Sequence, residues 1–346
     1  MEFNSLTYLI CIVSFIVITF YLIPLAKSLR LVDLPSGRKK HQGEVPTLGG
    51  ISIFISFSIG LFFININLSE YQNIFLTLFL ILMIGVFDDI WDLSAKLKLL
   101  FHILAISFSI NQTYLITSLG GIFGPIDIAM LPLTYAFTIF AIIGSMNAVN
   151  MSDGVDGLAA LNSFFVFLVI SFFSYNSNEE FVFLISSIFA SLLFAFLLFN
   201  LTFLGLKNKI FLGDSGTTLI GFVICLLLII LSQGEKQAIK PVTALWIMAL
   251  PLIDTVAIIF RRIIKKRSPF SADREHLHHF FMRLGFNDRK TLLTVTIISI
   301  SLSAIGIVME IKNVPSILSF LVFLSIFILY YYLLSHSWKL LTKLKR

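Results

Sequence analysis

The sequence predicts an all-α polytopic membrane protein of about eleven transmembrane helices, folded as a single domain over residues 1–346. Three observations carry this. Of 346 residues, 58% are hydrophobic and 13% charged, with a mean hydropathy of +0.96, whereas soluble domains carry about 25% charged residues. Apolar runs long enough to cross a hydrocarbon core, roughly 20 residues each, recur along the whole chain. Lysine and arginine are confined almost entirely to alternate connecting segments, the usual mark of sidedness in a membrane protein.

Taken in order, the apolar runs place spans near residues 5–26, 47–65, 72–88, 95–112, 131–150, 157–175, 181–199, 214–232, 242–262, 291–310 and 315–336. The first run lacks a basic leader and a small-residue cleavage site, so it reads as a span and not as a secretory signal. Residues 113–130 are too broken by Gly and Pro to span and read as a short hairpin on the outer side. With the N-terminus outside, 22 of the 25 basic residues fall in inner segments, leaving Lys236, Lys240 and Lys312 outside. The net charge of +6 is therefore a topological signal and does not point to nucleic acid. Cys11 and Cys225 lie inside apolar runs with no metal-binding spacing.

Four polar signatures fall on the basic side. The third span ends in Gly85-Val-Phe-Asp88-Asp89-Ile-Trp-Asp92. The fifth runs into Asn150-Met-Ser-Asp153-Gly154-Val-Asp156-Gly157. The eighth opens on Gly213-Asp214-Ser215-Gly216, and the largest loop holds Ser268 to His279, with Asp273-Arg274-Glu275-His276-Leu-His278-His279. Taken singly, an Asp-Asp pair at a helix end is a solvated cap as readily as a site, and Asp-Gly turns are common. Three histidines within four residues of a basic loop have no simple structural reading. Gathering all four motifs at one membrane face marks a site.

The chemistry that fits is phosphate with a divalent cation. Converging carboxylates repel unless neutralised, and an oxygen-rich ligand set favours Mg²⁺, with Mn²⁺ as an alternative, over Zn²⁺. Handling a phosphate also needs cations from the protein, and the basic loop from Arg261 to Lys290 supplies them. Glycine turns let backbone approach a ligand closely.

The segments RKKHQGEVPTLGG, GVFDDIWD, NAVNMSDGVDGL, FLGDSGTTLIGF and SPFSADREHLHHFFMRLGF resemble the polyprenyl-phosphate N-acetylhexosamine-1-phosphate transferases (glycosyltransferase family 4), over residues of about 28–346. Within them the likeness is greatest to the bacterial branch that uses UDP-GlcNAc and undecaprenyl phosphate. The resemblance implies a multi-pass enzyme of the bacterial inner membrane with a cytoplasmic site, and it admits a homodimer. It implies Asp88 as the base toward the lipid phosphate, with Asp89 beside it, and Asp214 with Asn150 as the Mg²⁺ ligands. Gly154 and Asp156 would lie at the uracil end, with Asp153 nearby and Lys98 near the phosphates. Arg274, His276, His278 and His279 would contact diphosphate or sugar, and His41 would face the same cleft. One departure is plain: relatives tend to read GDAGS where this chain reads Gly213-Asp214-Ser215-Gly216-Thr217, so the hydroxyl at 217 gains a methyl.

The expected reaction is transfer of GlcNAc-1-phosphate from UDP-GlcNAc to undecaprenyl phosphate, the first membrane step of O-antigen-type or enterobacterial common antigen-type glycans. Two other readings stay open on the residues alone: a relative taking MurNAc-pentapeptide or another N-acetylhexosamine donor, and a secondary transporter. A transporter would place its charges near the midplane and show an internal repeat, and the sequence has neither.

Overall fold

A computed structural model describes residues 5–34, 43–64, 68–110, 114–122, 133–234, 237–268 and 275–336. His41 and Arg274 lie outside the described residues. In chain order the helices are α1 (Ser5–Ser28), α2 (Gly49–Leu61), α3 (Gln72–Trp91), α4 (Ala95–Ser109), α5 (Leu133–Ser152), α6 (Leu158–Ser177) and α7 (Glu180–Asn200). They continue with α8 (Gly213–Ser232), α9 (Pro241–Ile247), α10 (Ala249–Ile264), α11 (Leu277–Arg283), α12 (Asp288–Ile311) and α13 (Ser316–Ser335). Two antiparallel two-residue strands, β1 (Val32–Asp33) and β2 (Val45–Pro46), join α1 to α2.

The chain is an all-α polytopic membrane protein. Among the described residues, eight helices are long and apolar enough to cross a bilayer, and a ninth crossing arises if α9 and α10 count together. The other two expected spans are the shorter helices α2, of 13 residues, and α4, of 15.

The expected span 242–262 is broken, and the sequence explains how. Between α9 and α10 the axis bends by 84°. Pro251 lies just past the bend and has no N–H to donate back to the preceding turn. The carbonyls of Trp246 and Ile247 instead accept from the Ser303 hydroxyl of α12, at 3.2 and 3.0 Å. Inside a bilayer such freed groups need a partner within the protein.

Helix α8 is the axis of the bundle. It is apolar around its whole circumference, and 94% of its apolar window is buried, against 11% for α13. A helix that is hydrophobic on all sides belongs in the interior. Glycines seat its first turn: a Cβ on Gly50 of α2 would strike the backbone of Ser215 and Gly216, and one on Gly85 of α3 the backbone of Ser215. The opening N–H groups of α2 donate to the carbonyls of Phe211 and Leu212 just before α8, satisfying donors that a helix start leaves free. Three helices thus converge on residues 211–216.

Candidate active site

The acids at the ends of α3 and α8 are joined by one cation. Lys98, in the first turn of α4, donates from Nζ to Asp88 Oδ2 at 2.7 Å and to Asp214 Oδ2 at 2.8 Å. Asp88 also accepts the backbone N–H of Leu93 at 2.9 Å. This turn is short because Asp92 takes a left-handed conformation (φ 50°) that closes α3, and Ser94 then caps α4; aspartate tolerates that region better than most residues.

Asp89 points the other way. Its carboxylate accepts from the backbone N–H groups of Asp214 (2.8 Å) and Ser215 (3.3 Å) and from the Ser215 hydroxyl (3.0 Å). An anion at a helix start satisfies free N–H groups and complements the dipole. Asp89 therefore anchors α8 to α3, while Asp88, its sequence neighbour, faces the shared lysine. Asp89 is held by three donors.

Helix α5 brings the third motif to the same place. Asn150 donates its amide to Thr217 Oγ1 at 2.9 Å, and Thr217 in turn donates to the Gly213 carbonyl at 3.1 Å. The departure at 217 thus has a structural role, because the buried threonine fixes the Asn150 amide beside Asp214. Asp153, in the turn after α5, keeps surface exposure and stands near the charges of Asp156, Asp214 and Asp89. Asp156 pairs with Lys209 at 2.5 Å, and that ammonium lies 5.0 Å from the Phe211 ring centroid.

The histidine motif closes the group. His276 begins α11, and its ring lies parallel to that of His278, with centroids 5.6 Å apart. His278 packs directly on Gly154, where a Cβ would collide with Nε2. Only glycine allows that approach. Burial first, then His279 and His276, lowers the pKa of His278 to about 3, so the ring is neutral near pH 7. His279 contacts His278, with centroids 4.2 Å apart.

Of the expected site residues, the structure brings together Asp88, Asp89, Lys98, Asn150, Asp153, Gly154, Asp156, Asp214, His276, His278 and His279. Sequence reasoning missed Thr217 as the support of Asn150, Lys209 as the partner of Asp156, and Asp254, whose Oδ2 lies 2.9 Å from His276 Nδ1. Asp254 had a usable signal, since it is a lone acid inside an apolar helix.

A divalent metal fits this donor set, although no three His, Cys, Asp or Glu residues form a ready cage among the described residues. Mg²⁺ keeps waters and commonly takes one or two carboxylates plus substrate phosphates. The oxygens of Asp88 and Asp214 meet at a position that already attracts a cation, the Lys98 ammonium.

Fold and site together define a class: a multi-pass membrane protein with a carboxylate–lysine centre and a histidine arm gathered at one end of its bundle. A family model described as glycosyl transferase family 4 matches residues 71–232. The undecaprenyl-phosphate alpha-N-acetylglucosaminyl 1-phosphate transferase of Salmonella typhi is 37% identical over 99% of this chain and 94% of its own length. The proteins of that name from Yersinia pestis and Haemophilus influenzae are each 36% identical, covering 91% and 93% of this chain and 87% and 92% of their own. The chain belongs to glycosyl transferase family 4.

Proposed function

We propose that this chain transfers GlcNAc-1-phosphate from UDP-GlcNAc to undecaprenyl phosphate, releasing UMP, at the cytoplasmic face of a bacterial inner membrane. The single observation that carries this is Lys98 bridging Asp88 and Asp214. That centre combines a base, a metal-binding carboxylate and a cation at the end of a lipid-embedded bundle. The likeness to relatives of that name along nearly the whole chain supports the choice of substrates.

In the reaction an oxygen of the lipid phosphate attacks the phosphorus bearing GlcNAc. The bond from that phosphorus to the bridging oxygen breaks, and UMP leaves with that oxygen. Asp88 takes the remaining proton of the lipid phosphate. Asp214 with Asn150 would hold Mg²⁺, which would supply charge neutralisation to the diphosphate. Lys98 keeps a positive charge beside both carboxylates, and Asp89 holds the first turn of α8 so that Asp214 keeps its aim. His276, His278 and His279 contact diphosphate and sugar, and Asp153, Gly154 and Asp156 border the uridine. In-line phosphoryl transfer demands mainly positioning and electrostatic stabilisation, and these residues provide both.

The test is a donor panel on purified full-length protein with undecaprenyl phosphate and Mg²⁺, reading UMP release and lipid product. UDP-GlcNAc should turn over, UDP-glucose should fail for want of the acetamido group, and UDP-MurNAc-pentapeptide should fail on size. Preferred turnover of the pentapeptide donor would overturn the substrate assignment. Sidedness has its own test, since both native cysteines are buried. Cysteine at Lys207 should label with an impermeant reagent only from the cytoplasm, and at Asn178 only from outside. The reverse pattern would overturn the cytoplasmic site.

A further inference from the structure

Three elements distant in sequence meet on one buried carboxylate. Asp254 sits in α10, 7% exposed. Its Oδ2 lies 2.9 Å from Nδ1 of His276. Its Oδ1 accepts from the Tyr330 hydroxyl of α13 at 2.6 Å and from the backbone N–H of Leu277, at the start of α11, at 3.3 Å. An ionised carboxylate can only accept, and with Asp254 ionised the proton of this bond sits on Nδ1 of His276. That choice of tautomer leaves Nε2 as the nitrogen available to a ligand. Free histidine rings do not settle this unaided. The hydrogen bond at one nitrogen fixes what the other can do.

The same carboxylate sets the direction of the whole arm. By holding the first N–H of α11, Asp254 fixes where that helix begins. The parallel His276 and His278 rings then carry the orientation to Gly154. Tyr330 ties the arrangement to α13, whose apolar window is otherwise only 11% buried. A hydroxyl on a lipid-facing helix that reaches a buried acid is expensive unless it has work to do.

We propose that Asp254 is the positioning residue of the histidine arm: supported by Tyr330, it holds His276 as the Nδ1–H tautomer with Nε2 turned to the diphosphate-sugar donor. This rests on the transferase reading for the identity of the ligand, but not for the geometry. Outer partners that orient a working imidazole typically contribute 10–100-fold to its function.

The experiment uses the full-length protein in detergent, with ring-¹⁵N histidine. His276→Gln assigns one of the six histidines. In the wild type, the His276 signals should report Nδ1–H. In Asp254→Asn, where an amide replaces the accepting oxygen, they should switch to Nε2–H. UMP release should fall 10–100-fold in kcat/KM, in line with an outer-partner role. Tyr330→Phe, which keeps the ring packing, should retain the Nδ1–H tautomer and lose about threefold or more in kcat/KM. An Nε2–H tautomer in the wild type overturns the proposal without any variant. So does Asp254→Asn with an unchanged tautomer or with kcat/KM within twofold of wild type. Tyr330→Phe at full activity removes Tyr330 from it. A wild type with the Nδ1–H tautomer but no UMP release would leave the positioning standing and overturn the transferase reading.

Discussion

The two ends of α8 handle charge in opposite ways. At its N-terminal end, Asp88, Asp89, Asp153, Asp156 and Asp214 stand against the ammoniums of Lys98 and Lys209 among the described residues. At the far end, the Glu310 carboxylate accepts from the Lys240 N–H at 3.2 Å and from the Thr243 hydroxyl, and Lys240 Nζ donates to the Val314 carbonyl at 3.0 Å. These bonds lock α9 against α12. At the first end, one lysine is shared by two acids and carboxylates remain in excess. An excess that folding alone would remove is the mark of a functional end.

Breaking the first end should cost the most activity and little stability. Asp88→Asn should lower kcat by about 10²–10⁴, the range for a lost general base, while UDP-GlcNAc binding measured by calorimetry stays largely intact. Thermal unfolding without metal should occur no lower than in wild type, because a crowded charge has gone. A loss of donor binding as severe as in Asp214→Asn would contradict the separate roles of the two acids.

Breaking the far end should do the reverse. Glu310→Gln weakens bonds to a charged acceptor worth about 1.5–3 kcal/mol. Its melting temperature should fall by a few degrees, with UMP release within twofold of wild type. Large loss of activity at unchanged stability would erase the contrast between the two ends.

Much of the site was legible because charged residues in a membrane chain are few and their placement is informative. The motifs at 85–92, 150–157, 213–216 and 276–279 meet as their common face suggested. What the sequence hid was direction. Nothing in Asp88-Asp89 says which acid turns to Lys98 and which caps α8; that depends on helix α8 approaching through Gly50 and Gly85. The bend at Met248 was also hidden, because residues 242–262 are as apolar as a straight span and the rescue of their carbonyls comes from Ser303, far along the chain. Asp254 and Tyr330 were visible as polar residues in apolar helices, but their pairing over 76 positions was not.

A smaller effect sharpens the histidine side of the site. His278 has its folded-state pKa lowered to about 3 by burial, from an ordinary 6.5. The unfolded chain therefore binds the proton first, so stability is complete above about pH 6.5 and declines as pH falls toward 3. The decline attributable to this group is at most about 1.4 kcal/mol per pH unit. Thermal unfolding from pH 7.5 to 5 should show a shallower decline in His278→Gln than in wild type. Parallel curves would mean that the ring is not desolvated as described.

On the proposed function, the carboxylate excess around Asp214 requires a divalent cation for phosphoryl transfer. The most direct measurement is UMP release from UDP-GlcNAc and undecaprenyl phosphate as Mg²⁺ is titrated into chelator-treated protein, for wild type and Asp214→Asn. Wild type should be inactive without metal and saturate as Mg²⁺ rises, with Mn²⁺ able to replace it. Asp214→Asn should lose activity by about 10²-fold or more, as expected for a lost electrostatic contact to the reacting group, and need far more Mg²⁺. Full turnover in chelator, or an Asp214→Asn variant with the wild-type Mg²⁺ dependence, would contradict the account.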